Sequence, residues 1–380
     1  MAPTQEYIVL GIMSGSSLDG LDLALCRFSF SPDDALLIPS WEILAATTDP
    51  YPPTWQARLR SAPHLPGREL WRLHADFGHW IGQRAKRFLA EHPDHVPELV
   101  GSHGHTIFHA PEQKFTTQIG DGAAIAAQLA IRTVTELRSS DVAIGGEGAP
   151  LAPLADKYLF PEYDGFLNLG GIANLSLKQE DGHYLAGDIT GCCQILDRLA
   201  QRTGHNYDPA GHLAAQGSPA PAFSPKVAAL PYHQLPYPKS LDNGWVREQL
   251  WPILDDKSVP AQDLLHTFTR WLAAKIAYDL AFVGEGAGAK QGKGSQDAPR
   301  RILLTGGGSH NTFLVDQLRA TQDAAKPTFD FVVATKQMVD FKEAALIALC
   351  ALLRVKDIPN ALPSATGAPR ATINGAVYAG

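Results

Sequence analysis

Tyr7-Ile8-Val9-Leu10-Gly11-Ile12-Met13-Ser14-Gly15-Ser16-Ser17-Leu18-Asp19-Gly20-Leu21-Asp22-Leu23-Ala24-Leu25-Cys26-Arg27-Phe28 is the stretch that decides the fold. An apolar run enters a turn of small residues and leaves it with Leu21, Leu23 and Leu25 at alternate positions. That is strand, turn, strand. The turn leaves several backbone N–H groups without ladder partners. The pattern returns at Asp164-Gly165-Phe166-Leu167-Asn168-Leu169-Gly170-Gly171-Ile172-Ala173-Asn174-Leu175-Ser176-Leu177. Two such hairpins, one near the start of each half, suggest a duplicated architecture.

Working outward, helical spacing predicts helices over Arg68–Glu91, Gly122–Ile131, Thr190–Arg202, Gln262–Val283 and Phe341–Val355. Glu98–His105 reads as a short strand ending in a small-residue loop. Arg301–Thr305 reads as a buried strand entering Gly306-Gly307-Gly308. Leu230–Asn243, with Pro231, Pro236 and Pro238, reads as a loop, and so does the Gly-, Lys- and Gln-rich Gly284–Pro299. Strands alternating with helices make the class α/β.

The 380 residues suggest two domains and allow three. Hydrophobic residues make up 45%, enough for sizeable cores, which excludes a wholly disordered chain. A formal charge of −7 argues against sequence-independent nucleic-acid or anionic-membrane binding. The four cysteines, Cys26, Cys192, Cys193 and Cys350, form no C-x-x-C pair, so neither a disulfide scaffold nor a four-thiolate zinc site is expected. No basic segment precedes Tyr7–Leu10, and no apolar run reaches the ~20 residues of a membrane span. A soluble protein of a reducing compartment is expected.

Three glycine-rich turns, at 14–20, 170–171 and 306–308, each follow a predicted strand. Glycine lets a backbone approach an anion and offer it N–H groups. Neither the Walker pattern nor Gly-x-Gly-x-x-Gly occurs at them, which argues against a P-loop or dinucleotide fold. For any one turn a plain tight turn is the better reading; three together point to nucleotide phosphates. Asp188, in Leu185-Ala186-Gly187-Asp188-Ile189-Thr190-Gly191, has two equal readings. It is a general base at a strand end or an N-cap of the next helix. Asp197 and Asp208 read as surface or loop carboxylates. His103, His105 and His109 cluster, but without metal spacing, so they read as structural or substrate-contacting histidines. Arg138, Asp141 and Glu147 either hold a polyhydroxylated ligand or brace their own loop by ion pairs. Glu343 reads as the opening of the last helix, where a carboxylate also complements the dipole. Cys192 and Cys193 read as packing residues.

An ordered set of segments resembles the anhydro-N-acetylmuramic acid kinase family. The set comprises Gly11–Gly20, Gly101-Ser102-His103-Gly104-His105-Thr106, Gln118-Ile119-Gly120-Asp121, Gly145–Leu151, Asn168–Leu175, Tyr207-Asp208-Pro209-Ala210-Gly211, Pro238-Lys239-Ser240 and Gly306–Asn311. It runs almost end to end. The resemblance implies a two-lobed, actin-like (ribonuclease H-like) ATPase fold with a central cleft. One lobe would comprise residues 1–131 and 360–380, the other 132–359, and the second would carry a homodimer contact. It implies ATP and Mg²⁺. Gly11, Ser14, Gly15, Ser16, Ser17, Asp19, Asn168, Gly170, Gly171, Asn174, Gly306, Gly307, Gly308 and Asn311 would face the nucleotide, with Asp19 toward Mg²⁺. His105, Arg138, Asp141, Glu147 and Glu343 would face the sugar, and Asp188 would be the catalytic base. The implied reaction opens the 1,6-anhydro bridge of anhydro-N-acetylmuramic acid with water and phosphorylates O6, in the cytoplasm and with no nucleic-acid or membrane partner.

The family's Asp-Thr-Gly-Pro-x-Asn reads here Asp188-Ile189-Thr190-Gly191-Cys192-Cys193. A Gln common in the family is Glu147, and an arginine often found after Arg138 is absent at Ser139 and Ser140. A related branch phosphorylates levoglucosan, which keeps another anhydrosugar open as substrate. A heat-shock-70-like ATPase is the reading from a different class; no substrate-binding β-domain is expected after the ATPase lobes.

Overall fold

The computed structural model describes residues 4–15, 18–32, 37–179, 184–220, 222–285, 298–323 and 328–380. The chain forms two compact units, Met1–Pro161 with Asp340–Gly380, and Glu162–Val339.

The first unit is built on the opening hairpin. β1 (Gln5–Ser14) and β2 (Gly20–Phe30) pair antiparallel, with Leu10 opposite Leu25 and Ile12 opposite Leu23. β3 (Ser40–Pro50) joins β2, while β4 (Leu99–Ser102) and β7 (Thr133–Thr135) continue in parallel from β1. β13 (Ala376–Tyr378) closes the edge, giving the order β13-β7-β4-β1-β2-β3. β5 (His105–Ala110) and β6 (Phe115–Ile119) form a separate hairpin.

Leu10, Ile12, Leu21, Leu23 and Leu25 pack against Phe77, Ile81 and Phe88 of the helix Gly67–Ala90. On Gly11 and Gly101, by contrast, the helix Lys336–Val355 lies directly on the strands. A Cβ on Gly11 would land on the carbonyl oxygen of Ala344, and one on Gly101 would sit 2.5 Å from that of Ile347. Ala344–Leu353 are accordingly buried without interruption.

The second unit repeats the plan. β8 (Gly165–Leu169), β9 (Ile172–Lys178) and β10 (Tyr184–Gly191) are antiparallel. β11 (Arg300–Thr305) and β12 (Phe329–Val333) continue in parallel, giving β10-β9-β8-β11-β12. β3-β2-β1-β4-β7 in the first unit has the same order and the same strand senses, so the duplication expected from the two hairpins is present. Leu264, Leu265, Phe268, Leu272 and Ile276 of the helix Ala261–Glu285 join Leu167, Leu169 and Leu175 in one apolar core.

Some expectations shift. The division falls after Pro161 and Val339 rather than after residues 131 and 359, because β7 hydrogen-bonds β4 and the last long helix lies on Gly11 and Gly101. The helix expected from Thr190 begins at Cys193, because Thr190 and Gly191 are still paired with Ala173 and Ile172. β3 and β5 to β7 carry too little alternation to be read from the sequence. Residues 286–297 of the glycine-rich stretch lie outside the described residues. Among the described residues no helix is long and apolar enough to cross a membrane.

Candidate active site

In the second unit the sheet gathers a polar row. Thr305 on β11 lies opposite Asn168 on β8, Asn168 opposite Asn174 on β9, and Asn174 opposite Asp188 on β10. Directly opposed residues share a face of a sheet. Four polar side chains from four strands therefore stand in line. Three of them were singled out from the sequence; Thr305 was not.

Asp188 is half-buried and held on three sides. Its N–H donates to the carbonyl of Lys239 at 2.9 Å, and its own carbonyl accepts the Tyr232 hydroxyl at 2.8 Å. Its Oδ2 accepts the N–H of Leu241 at 2.9 Å. Gly187 permits this close strapping, since a Cβ there would meet the Lys239 carbonyl oxygen at 2.6 Å. The ladder is irregular between Asp188 and Thr190, a bulge of the kind that re-aims a side chain. The N-cap reading falls: Cys192 occupies that position and Asp188 is still in β10. Burial raises the Asp188 pKa against the opposing Leu241 N–H. The segment 231–241, read from the sequence as a plain loop, is thus the holder of this carboxylate.

His233 anchors the same segment. Its Nδ1 lies 2.8 Å from the Val227 carbonyl and its Nε2 3.0 Å from the Thr190 hydroxyl. A carbonyl only accepts, so Nδ1 carries the proton and Nε2 accepts from Thr190. Burial pushes this imidazole down to about 4, so it is neutral at physiological pH.

Two glycine turns meet in this unit. Gly306 has φ +79, and a Cβ on it would lie 2.7 Å from the carbonyl carbon of Leu169. Gly308 is similarly pressed on the Leu169 carbonyl oxygen and the Cys193 Sγ, at 2.8 and 2.9 Å. The Gly171 and Gly170 carbonyls accept the N–H groups of Cys192 and Cys193 at 2.8 and 2.9 Å. Their own N–H groups donate to no backbone acceptor among the described residues. Cys193 is therefore a packing residue of the turn.

A cavity of about 370 Å³ opens beside these turns, lined by Gly307, Gly308 and Asn311 together with Asp197, Asn206 and Tyr207. Asn311 caps the helix Thr312–Ala320, its Oδ1 accepting the Leu314 N–H at 3.0 Å. Asp208 lies in a loop, as read from the sequence, but not on the surface. It is buried and accepts the N–H groups of Leu213 and Ala214 at 2.8 and 2.9 Å.

In the first unit, Ser16 and Ser17 lie outside the described residues. Ser14 ends β1, with its hydroxyl 2.8 Å from the Tyr51 hydroxyl and 3.1 Å from His105 Nδ1. Leu18, at φ 59, points its N–H toward the Gly15 carbonyl at 3.5 Å. Asp19 is exposed. Gly11 belongs to the sheet rather than the turn; its lack of a side chain admits a helix. Asp22, which the sequence reading passed over, accepts from Thr48 at 2.6 Å. Burial raises its pKa, and the charges of Glu343, Asp340 and Asp19 raise it further. Glu343 is exposed and lies well inside the helix Lys336–Val355, so it does not open that helix.

His103 accepts from Arg138 Nε at 2.9 Å through Nε2, while Nδ1 is 2.9 Å from the Gly104 carbonyl. Guanidinium only donates, so this ring is neutral with its proton on Nδ1. Its burial, with the Arg138 charge, pushes it down to about 3. Arg138 also donates to the Gly148 carbonyl at 3.0 Å. Asp141 is 1% exposed. Its oxygens accept the Gly148 N–H at 2.8 Å and the Thr366 hydroxyl at 2.9 Å. Asp141 is thus occupied in holding the glycine loop, by hydrogen bonds rather than by the ion pairs expected. Glu147 at the tip of that loop is exposed. His109 is also exposed and bonds Thr116, so the three histidines do not converge. No group of three or more His, Cys, Asp or Glu able to hold a metal occurs among the described residues.

The family model described as anhydro-N-acetylmuramic acid kinase matches residues 7–380. Relatives bearing that name are 32% identical in Methylorubrum extorquens, Synechococcus elongatus and Vibrio cholerae. The alignments cover 97%, 98% and 100% of this chain and 98%, 99% and 99% of theirs. Among solved structures, component A of (R)-2-hydroxyglutaryl-CoA dehydratase from Acidaminococcus fermentans aligns over 92% of this chain and 99% of its own, with a TM-score of 0.42 and 12% identity.

Proposed function

The chain belongs to the anhydro-N-acetylmuramic acid kinase family, and on that premise we propose that it is an ATP-dependent sugar kinase of cell-wall recycling. It opens the 1,6-anhydro bridge of 1,6-anhydro-N-acetylmuramic acid with water and phosphorylates O6, giving N-acetylmuramic acid 6-phosphate. The observation that carries this reading is Asp188, aligned with Asn174 and Asn168 and strapped by Tyr232, Lys239 and Leu241.

Asp188 is the general base. Leu241 occupies Oδ2, which leaves Oδ1 to take a proton from water. The hydroxide so formed bonds to the anomeric carbon. The bond from that carbon to the bridge oxygen breaks, and the released O6 bonds to the γ-phosphorus of ATP as the bond to ADP breaks and ADP leaves. The bridge oxygen is a poor nucleophile until its bond to the anomeric carbon breaks, so hydrolysis and transfer are coupled. Transfer itself needs mainly positioning and charge neutralisation. The unengaged amides of Gly170 and Gly171 suit phosphate oxygens. The cavity beside Gly307, Gly308 and Asn311 suits a nucleoside.

Mg²⁺ fits the donors of the first turn. Asp19 is exposed there, and its charge, with those of Asp340 and Glu343, bears on Asp22. A hard cation that keeps its waters and shares phosphate oxygens requires only one or two carboxylates. Asp19 would hold it, and when bound it would neutralise phosphoryl charge. The same reading makes the protein a cytoplasmic homodimer, which sedimentation of the purified chain would check.

The test is incubation with Mg-ATP and 1,6-anhydro-N-acetylmuramic acid, with levoglucosan in a parallel arm. Mass spectrometry should find a product heavier by phosphate plus water. Gain of phosphate without water rejects the coupled mechanism. ADP release stimulated only by levoglucosan moves the substrate to the other anhydrosugar.

A further inference from the structure

Tyr51 just past β3, Ser14 at the end of β1 and His105 at the start of β5 are 3%, 3% and 7% exposed. Tyr51 stacks on Trp80 at 5.2 Å and donates its O–H to Ser14 Oγ at 2.8 Å. Ser14 Oγ is 3.1 Å from His105 Nδ1. A serine hydroxyl has one proton. If it points at Nδ1, every group in the chain of bonds is satisfied. If instead Nδ1 carries a proton and donates to Ser14, the two hydroxyls have only each other to accept, so one hydroxyl proton, of Ser14 or of Tyr51, has no acceptor among the described residues, at a buried position where an orphaned donor is costly. The bonds therefore run Tyr51 to Ser14 to His105, with Nδ1 bare. Burial disfavours the charged ring, so the remaining proton sits on Nε2. That nitrogen has no partner among the described residues and is not among the buried, unpartnered polar atoms. The neighbouring His103 has the opposite tautomer, fixed by Arg138.

We propose that His105 is a neutral hydrogen-bond donor to an oxygen of the anhydrosugar through Nε2, and that Tyr51, acting through Ser14, is the positioning residue that sets its tautomer. The ligand named here rests on the sugar-kinase reading above; the tautomer does not. Ser14 thereby contributes its hydroxyl to the histidine, leaving only its backbone for a phosphate.

The test is long-range nitrogen–proton correlation NMR of the full chain labelled at histidine nitrogens, at neutral pH. His105 should show a bare Nδ1 and a protonated Nε2. Tyr51→Phe and Ser14→Ala should each populate the Nδ1-protonated form. Adding the anhydrosugar should move the Nε2–H signal, while Mg-ATP alone should not. In turnover assays Tyr51→Phe should lower kcat/KM for the sugar up to about tenfold, the scale of one neutral hydrogen bond. His105→Gln keeps an amide N–H near the Nε2 position and should retain more activity than His105→Asn, which reaches only the Nδ1 position.

A wild-type ring protonated at Nδ1, or a tautomer unmoved by Ser14→Ala, overturns the relay whatever the enzyme does. Sugar that is turned over without moving Nε2–H overturns the donor role alone. Absence of any sugar turnover or binding removes the kinase reading and with it the ligand, while the tautomer is still judged on its own signal.

Discussion

The N–H of Leu241 donates to Oδ2 of Asp188 at 2.9 Å, and this bond divides the duties of the carboxylate. Oδ2 is held by that bond, and Oδ1 accepts no hydrogen bond among the described residues, which makes it the oxygen of the proposed base. The donor lies 53 residues further along the chain, in a segment that looks like a plain proline-rich loop.

Asp188→Asn should abolish turnover, by at least about a hundredfold in kcat, while ATP binding persists. Asparagine keeps an acceptor for Leu241 but has no basic oxygen. A carboxyl whose pKa is raised by folding favours the native state when protonated, and that contribution is lost as pH rises through the folded value. The neutral amide removes this cost, so the Tm of the variant at neutral pH should not fall below that of wild type. For the same reason the acid limb of wild-type kcat should lie above the ordinary aspartate value of about 3.9. Near-normal turnover by the variant would move the base elsewhere.

Tyr232→Phe removes the hydroxyl on the Asp188 carbonyl and leaves the ring. One hydrogen bond corresponds to about 1 kcal/mol, so kcat should fall roughly fivefold to tenfold. KM for ATP should change little. Steady-state kinetics distinguishes this from a general loss of folded protein, which would lower active-enzyme concentration without altering the acid limb of the pH profile.

His103 and His233 are neutral, one in each unit, with folded values of about 3 and about 4. Both lie below the unfolded value of about 6.5. The stability they contribute is full above that value and is lost as pH falls through the folded values. Tm should therefore drop between about pH 6.5 and 4, each ring adding up to about 1.4 kcal/mol per pH unit. His103→Gln, which still offers Arg138 an acceptor, should flatten this slope in calorimetric scans.

Gly307→Ala and Gly308→Ala should separate binding from folding. A Cβ on Gly307 meets nothing within 4 Å in the chain, so Tm should stay unchanged while nucleotide affinity, read by calorimetry, weakens. A Cβ on Gly308 would press on the Leu169 carbonyl and Cys193 Sγ, and should cost about 1–3 kcal/mol of stability. Equal loss of stability in both variants would mean that the Gly307 face is not open to a ligand.

Both hairpins could be read from the amino-acid order because alternation and glycine turns are local. So could the α/β class and the long helices, and Asp188 could be singled out as a candidate. Gly11 shows the limit of that reading. It sits in a motif with a phosphate-turn look, yet its missing side chain serves the contact with Ala344, more than three hundred positions away in the chain. Asp141 and Asp208 show it again, since Asp141 is held by an N–H and an O–H and Asp208 by two backbone N–H groups, none of which composition can reveal.

The chain's order of residues by itself determined two copies of a strand-turn-strand plan, the class they belong to and the acids worth testing, since these depend on neighbours within a few positions. Tertiary structure decided which oxygen of Asp188 is free, which nitrogen of His105 carries its proton, and that Thr305, Asn168, Asn174 and Asp188 stand in one row. Those outcomes depend on sheet register and on hydrogen bonds between residues 37 to 91 positions apart, and no local periodicity encodes them.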